Sequence, residues 1–323
     1  MSDRHEPSAT FPWAGHDPKL EFAALMIAEG DVEPAWELLQ TTRDDPHRRE
    51  LAARVLGENG IGQLDLLQQF AENRPDDPEA WLLLGNARCA AGWRIRGGKR
   101  AHETPTERFR GLFEHTGRAR SVLYHAAELL PADPVPWSTL MRCAMGRQAY
   151  QDEIGDLFEQ VVRRVPDLYG AHVTRLQSLT RKWYGSQPEV EEFARKASAG
   201  LPAGHPLHAL SAYAQIEAIV DFVAGRFARA RALVAFLFRR PPFGAGPDAA
   251  SDLLLQQSSE FASHPRLMEA HQAFAAVYHL LGRTERLRRH LEHAGARPAM
   301  LPWAYFGDPY ERFAEARRAA GLG

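Results

Sequence analysis

Two cysteines, Cys89 and Cys143, are all that 323 residues contain, so a disulfide framework is excluded. Both sit in apolar stretches of helical pattern where a small hydrophobe fits, and a reducing compartment is expected. No uncharged apolar run reaches the ~18 residues that a membrane span requires. The first twenty residues, with His5, Pro7, Pro12 and Pro18, lack the basic start and the apolar run of a signal peptide, so a cytoplasmic location is expected. Charge of one sign is also lacking. The formal net charge is -2 with 25% charged residues, which leaves no overall field to draw the molecule onto nucleic acid or an anionic membrane. Runs of alternating β-branched residues, a Gly-x-Ser-x-Gly elbow and a His-Glu-x-x-His run are missing too. Their absence removes the usual signatures of a sheet, a serine nucleophile and a zinc hydrolase.

What is present is helix punctuation. Five Asp-Pro pairs occur, at Asp17-Pro18, Asp45-Pro46, Asp77-Pro78, Asp133-Pro134 and Asp308-Pro309. In each, the aspartate can accept from the free amides of a first turn, and proline gives up an amide that would have no partner there. Between these signals apolar residues recur at three and four, as in Phe22, Leu25, Met26 and in Phe274, Val277, Tyr278, Leu281. With 45% apolar residues, the chain is long enough to bury a large core.

The spacing points further, to the 34-residue tetratricopeptide unit with its pattern of large, small and aromatic residues. Trp81, Leu84 and Gly85 fit the first helix of such a unit, and Gly92 falls eleven residues after Trp81, where its two helices turn. Gly225-Arg226-Phe227-Ala228-Arg229-Ala230, Gly282 after His271, and Gly30 after Phe22 repeat that register. Ala119, Leu123, Ala126 and Pro131 match the second helix and lead into Trp137, as Leu67, Phe70 and Pro75 lead into Trp81. The expected fold is all-α, a right-handed solenoid of stacked helix hairpins over residues 16–297. A flexible N-terminus (1–15) precedes it and a capping segment (298–323) closes it.

Units are expected to begin near 16, 46, 78, 134, 167, 206 and 264. Trp81 and Trp137 lie 56 positions apart, so the third unit carries an insertion of about 22 residues, near 94–117. The sixth carries another, near 239–262, with a further helix from about Asp252 to Phe261.

Four stretches carry a family resemblance: Trp93-Arg94-Ile95-Arg96-Gly97, Pro131 to Trp137, Lys182-Trp183-Tyr184-Gly185-Ser186, and Pro302 to Pro309. In these the chain resembles a group of bacterial, mostly actinobacterial, tetratricopeptide-like proteins of about this length. The resemblance implies a helical-repeat fold and brings no activity with it.

Candidate chemistry is sparse. The pairs His205/His208 and His290/His293 have i, i+3 spacing, but no third ligand is set by the sequence, so no metal is expected. Arg96-Gly97-Gly98-Lys99-Arg100 lacks the spacing of a phosphate loop and reads as a solvated connector. No cofactor is expected. Residues 94–120 are nevertheless the most basic local segment, with Arg94, Arg96, Lys99, Arg100, Arg108, Arg110, Arg118 and Arg120 against Glu103, Glu107 and Glu114. A capping box at Thr104 to Glu107 starts a helix near Pro105 that carries these charges forward. Trp93 is expected to anchor the segment, and Asn86 and Arg142 take equivalent groove positions in adjacent units. Lys182 and Trp183 sit at the turn of the fifth unit, where the ring can close a gap between hairpins or stack on a ligand.

The expected role is a protein-interaction module offering a helical groove and this basic segment to a protein or peptide partner, acidic rather than nucleic acid, with catalysis not expected. The alternative is an enzyme or a binding protein for a small anionic ligand, with its site between the two insertions. Partner identity and oligomeric state stay open.

Overall fold

The computed structural model describes residues 15–98, 103–224 and 246–322. They are all-helical, with no strand among them, and no described helix is long and apolar enough to cross a membrane. The chain divides into two compact units, one built on residues 16–175 and the other on the residues from Leu176 onward.

Unit 1 contains α1 (Pro18–Glu29), α2 (Glu33–Thr41), α3 (Pro46–Asn59), α4 (Leu64–Glu72), α5 (Pro78–Arg96), α6 (Thr106–Leu129), α7 (Val135–Gly146) and α8 (Gln151–Val162). α9 (Tyr169–Ser178) crosses the division. Chain neighbours pack in pairs, α1 with α2, α5 with α6 and α7 with α8, and α3 lies against α5. Unit 2 holds α10 (Gln187–Ser198), α11 (Leu210–Ala224), α12 (Gly246–Leu255), α13 (Leu267–Leu280), α14 (Thr284–Leu291), α15 (Met300–Trp303) and α16 (Pro309–Ala319). There α10 pairs with α11 and α13 with α14.

The Asp-Pro reading holds at atomic detail. Asp17, Asp45, Asp77 and Asp308 each accept one or two first-turn amides, at 2.9–3.2 Å. At the fifth pair the helix begins one residue later, at Val135, whose amide donates to Asp133 at 2.9 Å. Gly30 and Gly282 end α1 and α13 in the left-handed region, at φ 99° and 67°, where a side chain would be strained. The Gly225–Ala230 run lies outside the described residues.

Gly92 does not turn the chain. It lies inside α5, which runs on to Arg96 and stops at Gly97 with φ 71°. The inserted residues therefore lengthen two helices, α5 to 19 residues and α6 to 24. What Gly92 provides is room, since a methyl group there would lie 3.2 Å from the Leu112 carbonyl oxygen on α6. The helix expected from Asp252 to Phe261 is likewise displaced. α12 starts at Gly246, with Pro247 in its first turn, and ends at Leu255.

α3 and α5 approach even more closely. A methyl group at Gly57 would lie 2.7 Å from the backbone carbonyl carbon of Asn86. Gly57→Ala is expected to cost about 1–3 kcal/mol, because two packed backbones must separate. Urea unfolding checks this, and an unchanged midpoint would contradict the packing described.

In unit 2 one side chain ties the closing segment to the core. The amide of buried Gln272 donates to the carbonyls of Ala294 and Arg297, both at 2.7 Å, and its oxygen accepts from the Ala299 amide at 2.7 Å and the Trp303 ring at 2.8 Å. Every polar atom of that side chain is thereby used, as burial requires.

Candidate functional site

The two lengthened helices differ in how they are buried, and that difference makes the site. α5 has α3, α4, α6 and α7 packed around it, so residues 82–87 and 89–92 are all buried. α6 buries a single stripe, Leu112, Thr116, Ala119, Leu123 and Ala126, at alternating spacings of four and three. Its other face is left to solvent. Arg108, Arg110, Arg118 and Arg120 lie exposed there.

Beside this face a cleft of about 510 Å³ is lined by Gln68 of α4, Trp81 and Arg88 of α5, and Arg118, Ser121, Val122 and His125 of α6. The Trp81 ring NH donates to the Pro75 carbonyl at 2.9 Å, and the ring meets His125 nearly edge-on at 5.0 Å. The His125 ring nitrogen lies 3.2 Å from that same carbonyl. Arg88 donates to the Gln68 side-chain oxygen at 2.7 Å, while its Nε, shielded from solvent, has no partner among the described residues. Burial, and then the charge of Arg118, lower the pKa of Arg88. Arg118 pairs with Glu114 at 2.8 Å, both side chains being more than half exposed. Two guanidinium groups and an aromatic ring thus share a cleft that no carboxylate lines among the described residues, although the charge of Asp65 acts on Arg88 and Glu128 lies 3.8 Å from His125.

The repeat register puts Trp81 and Trp137 at matching positions. Both are half-buried, because the packed side of each helix is taken by the smaller residues that follow, Leu82 to Ala87 and Ser138 to Met141. Their settings match in part: the Trp81 ring NH donates to Pro75, whereas the buried ring NH of Trp137 has no partner among the described residues. Each ring follows a proline by six residues, and a basic side chain further along the chain reaches that proline's carbonyl: His125 of α6 at Pro75, and Arg164, just past the end of α8, at Pro131 at 2.6 Å. Arg164 also lies 5.0 Å over the Trp137 ring.

The residues singled out in the sequence separate. Asn86 is 2% exposed, donating to the Leu82 carbonyl and accepting from the Thr139 hydroxyl, both at 3.0 Å. It therefore serves the core and not a groove, since four helices surround α5. Arg142 stands by the buried thiols. Burial opposes its charge, but Cys89 and Glu58 outweigh that and raise its pKa. Trp93 donates to the Arg142 carbonyl at 3.3 Å, joining the end of α5 to α7. Arg94 is exposed, and half-buried Arg96 donates to the Gly97 carbonyl at 2.8 Å. Lys99 and Arg100 lie outside the described residues, as does the second insertion as far as Ala245.

Lys182 and Trp183 belong to unit 2. Lys182 has internal partners: the carboxylate of Glu217 at 3.0 Å, the Gln177 side-chain oxygen at 2.8 Å and the Tyr305 hydroxyl at 3.2 Å. Two motifs far apart in sequence thus meet at one buried carboxylate, and burial together with Glu217 raises the Tyr305 pKa. Trp183 ends the 3₁₀ turn before α10 and is half-buried. Among the described residues no group of three His, Cys, Asp or Glu is placed to hold a metal ion.

No protein-family model matches the chain, and no curated protein is similar to it. Sequence reasoning did not pick out Arg88, Val122 and His125. The available signal was that Arg88 stands seven residues after Trp81, two turns along one side of a helix, while Arg118, Ser121, Val122 and His125 recur at threes and fours.

Proposed function

We propose that the chain is a protein-interaction module that presents the α5–α6 face to an acidic protein partner. The observation that carries this reading is the outer face of α6, where four arginines stand exposed on a helix longer than its hairpin needs. Exposed charges of this kind contribute little to stability, so their concentration on one face fits recognition of an anionic surface.

The fold reading that goes with it is a tetratricopeptide-like array, as in the bacterial proteins the sequence resembles. The shared placement of Trp81 and Trp137, six residues after a proline whose carbonyl meets a basic side chain, supports it. The two free, buried thiols, Cys89 and Cys143, fit a reducing compartment, and the cytoplasm is the proposed location.

The test is affinity capture with the full chain and with a variant carrying Arg94→Glu, Arg108→Glu and Arg110→Glu. Each substitution is expected to change stability by no more than ~0.5 kcal/mol. The variant should therefore melt near the wild type while losing captured protein, and raised salt should reproduce the loss on the wild type. Equal capture by both proteins would sink the reading.

A further inference from the structure

We infer that the cleft between Trp81, Arg88 and Arg118 is the anchoring pocket of this face, and that it takes an aspartate or glutamate side chain flanked by an apolar one from an extended segment of the partner. The inference rests on the interaction reading above and adds the chemistry that is recognised.

Arg88 enters the cleft from α5 and Arg118 from α6. Among the described residues Arg88 has one hydrogen-bond acceptor, the neutral Gln68, and a solvent-shielded Nε without any, and the charge of Asp65 does not offset burial and Arg118. A half-buried guanidinium with five donors is short of acceptors in that setting. Among the described residues its neighbour Arg118 is held by an exposed i, i+4 pair with Glu114, a weak contact that an incoming carboxylate can displace. A carboxylate between the two would supply the missing acceptors and relieve their mutual repulsion. The remaining groups set what comes next to it. The Trp81 ring NH is already committed to Pro75, so the ring offers the cleft apolar surface, continued by Val122.

The same side of α5 points to an extended segment instead of a compact small molecule. Trp81, Arg88 and Ile95 recur every seven residues, a line of about 21 Å at the helical rise. Ile95 is 37% exposed and packs against α6 at Gly111, where a methyl group would lie 2.8 Å from it. That length matches about six residues of extended chain.

The probe is an acetylated, amidated hexapeptide of alternating glutamate and phenylalanine, titrated into the full chain by calorimetry. It should bind. Peptides with glutamine for glutamate, or glycine for phenylalanine, should bind at least about tenfold more weakly, as should the hexapeptide to Arg88→Gln or Arg118→Gln, each losing a charge-assisted contact. Should Arg88→Gln fold poorly, Arg118→Gln decides, because that side chain is 61% exposed. Arg163→Gln, 66% exposed at the end of α8 and outside the cleft, should keep hexapeptide affinity to within about threefold. The inference is overturned by no binding to the wild type up to about 1 mM, by equal binding to Arg118→Gln, or by at least tenfold preference for phosphoserine over glutamate. Those failures leave partner capture through the outer arginines untouched, whereas capture indifferent to the charge reversal removes the broader reading by itself.

Discussion

Replacing Arg49 with methionine is expected to destabilise unit 1 by about 3–5 kcal/mol. Arg49 lies on α3 with 1% of its side chain exposed. Its guanidinium donates to Asp133 at 2.8 Å, to Glu79 at 3.0 Å and to the Leu39 carbonyl, so one side chain joins the end of α2, α3 and the starts of α5 and α7. Methionine keeps the apolar stem but leaves two carboxylates, 0% and 2% exposed, short of a cation. Arg43 still reaches Glu79 through two hydrogen bonds, which is why the loss is not larger.

Burial pushes the Glu79 pKa up, but Arg43 and Arg49 more than offset it and the net shift is downward. Glu79 therefore stabilises the fold above the usual carboxylate range, and this contribution is lost as pH falls through its folded value. Arg49→Lys keeps the charge without the fork and should lose less. Against a typical total of about 5–15 kcal/mol, the methionine variant would come close to unfolding the unit. A urea midpoint shift worth less than about 1 kcal/mol would show that the network is dispensable.

That network marks where sequence reading stops. The Asp-Pro caps were legible because donor and acceptor are two or three residues apart. Arg49 and Asp133 are 84 residues apart, and no local pattern pairs them. Gly92 was misread for a related reason: a glycine that ends a helix and one that lets another helix approach look alike until the neighbour, α6, is in place. Asn86 was assigned to a groove because its position in the repeat faces one there, yet α7 covers it through Thr139. Trp81 fits the repeat's first helix yet borders a cleft, since periodicity gives the side of a helix and not whether a neighbour fills the space beside it.

Unit 2 is expected to be acid-sensitive well above the carboxylate range. His271 and His290 are both 0% exposed and face each other Nδ1 to Nδ1 at 3.0 Å. Such a bond needs one nitrogen to donate and the other to accept, so protonating both rings would set two donors against each other. His290 is further fixed by the Ser251 hydroxyl at 2.8 Å and by stacking on Phe274 at 4.8 Å.

Burial, then His293, push the His271 pKa down to about 3. Burial, then His271, His293, Arg289 and Arg286, push His290 well below its usual value. The unfolded chain binds these protons near pH 6.5, so stability is complete above that pH and falls as pH drops toward the folded values. From pH 7 to pH 5 His271 alone accounts for about 2 kcal/mol, and His290 acts in the same direction. Urea unfolding at the two pH values should show that loss, and His271→Phe should remove most of its own share. A unit 2 equally stable at pH 7 and pH 5 would contradict the neutral, buried pair.

The central claim, that the α5–α6 face meets a protein partner, is tested most directly by site-specific photo-cross-linking in intact cells. A benzophenone amino acid replaces Phe113, 40% exposed on α6, or, as control, Tyr310, 63% exposed on α16. The account predicts a discrete protein adduct from position 113 that is lost when Arg94→Glu, Arg108→Glu and Arg110→Glu are added, and no such adduct from position 310. Adducts from position 310 alone, or a position-113 adduct indifferent to the charge reversal, would contradict it.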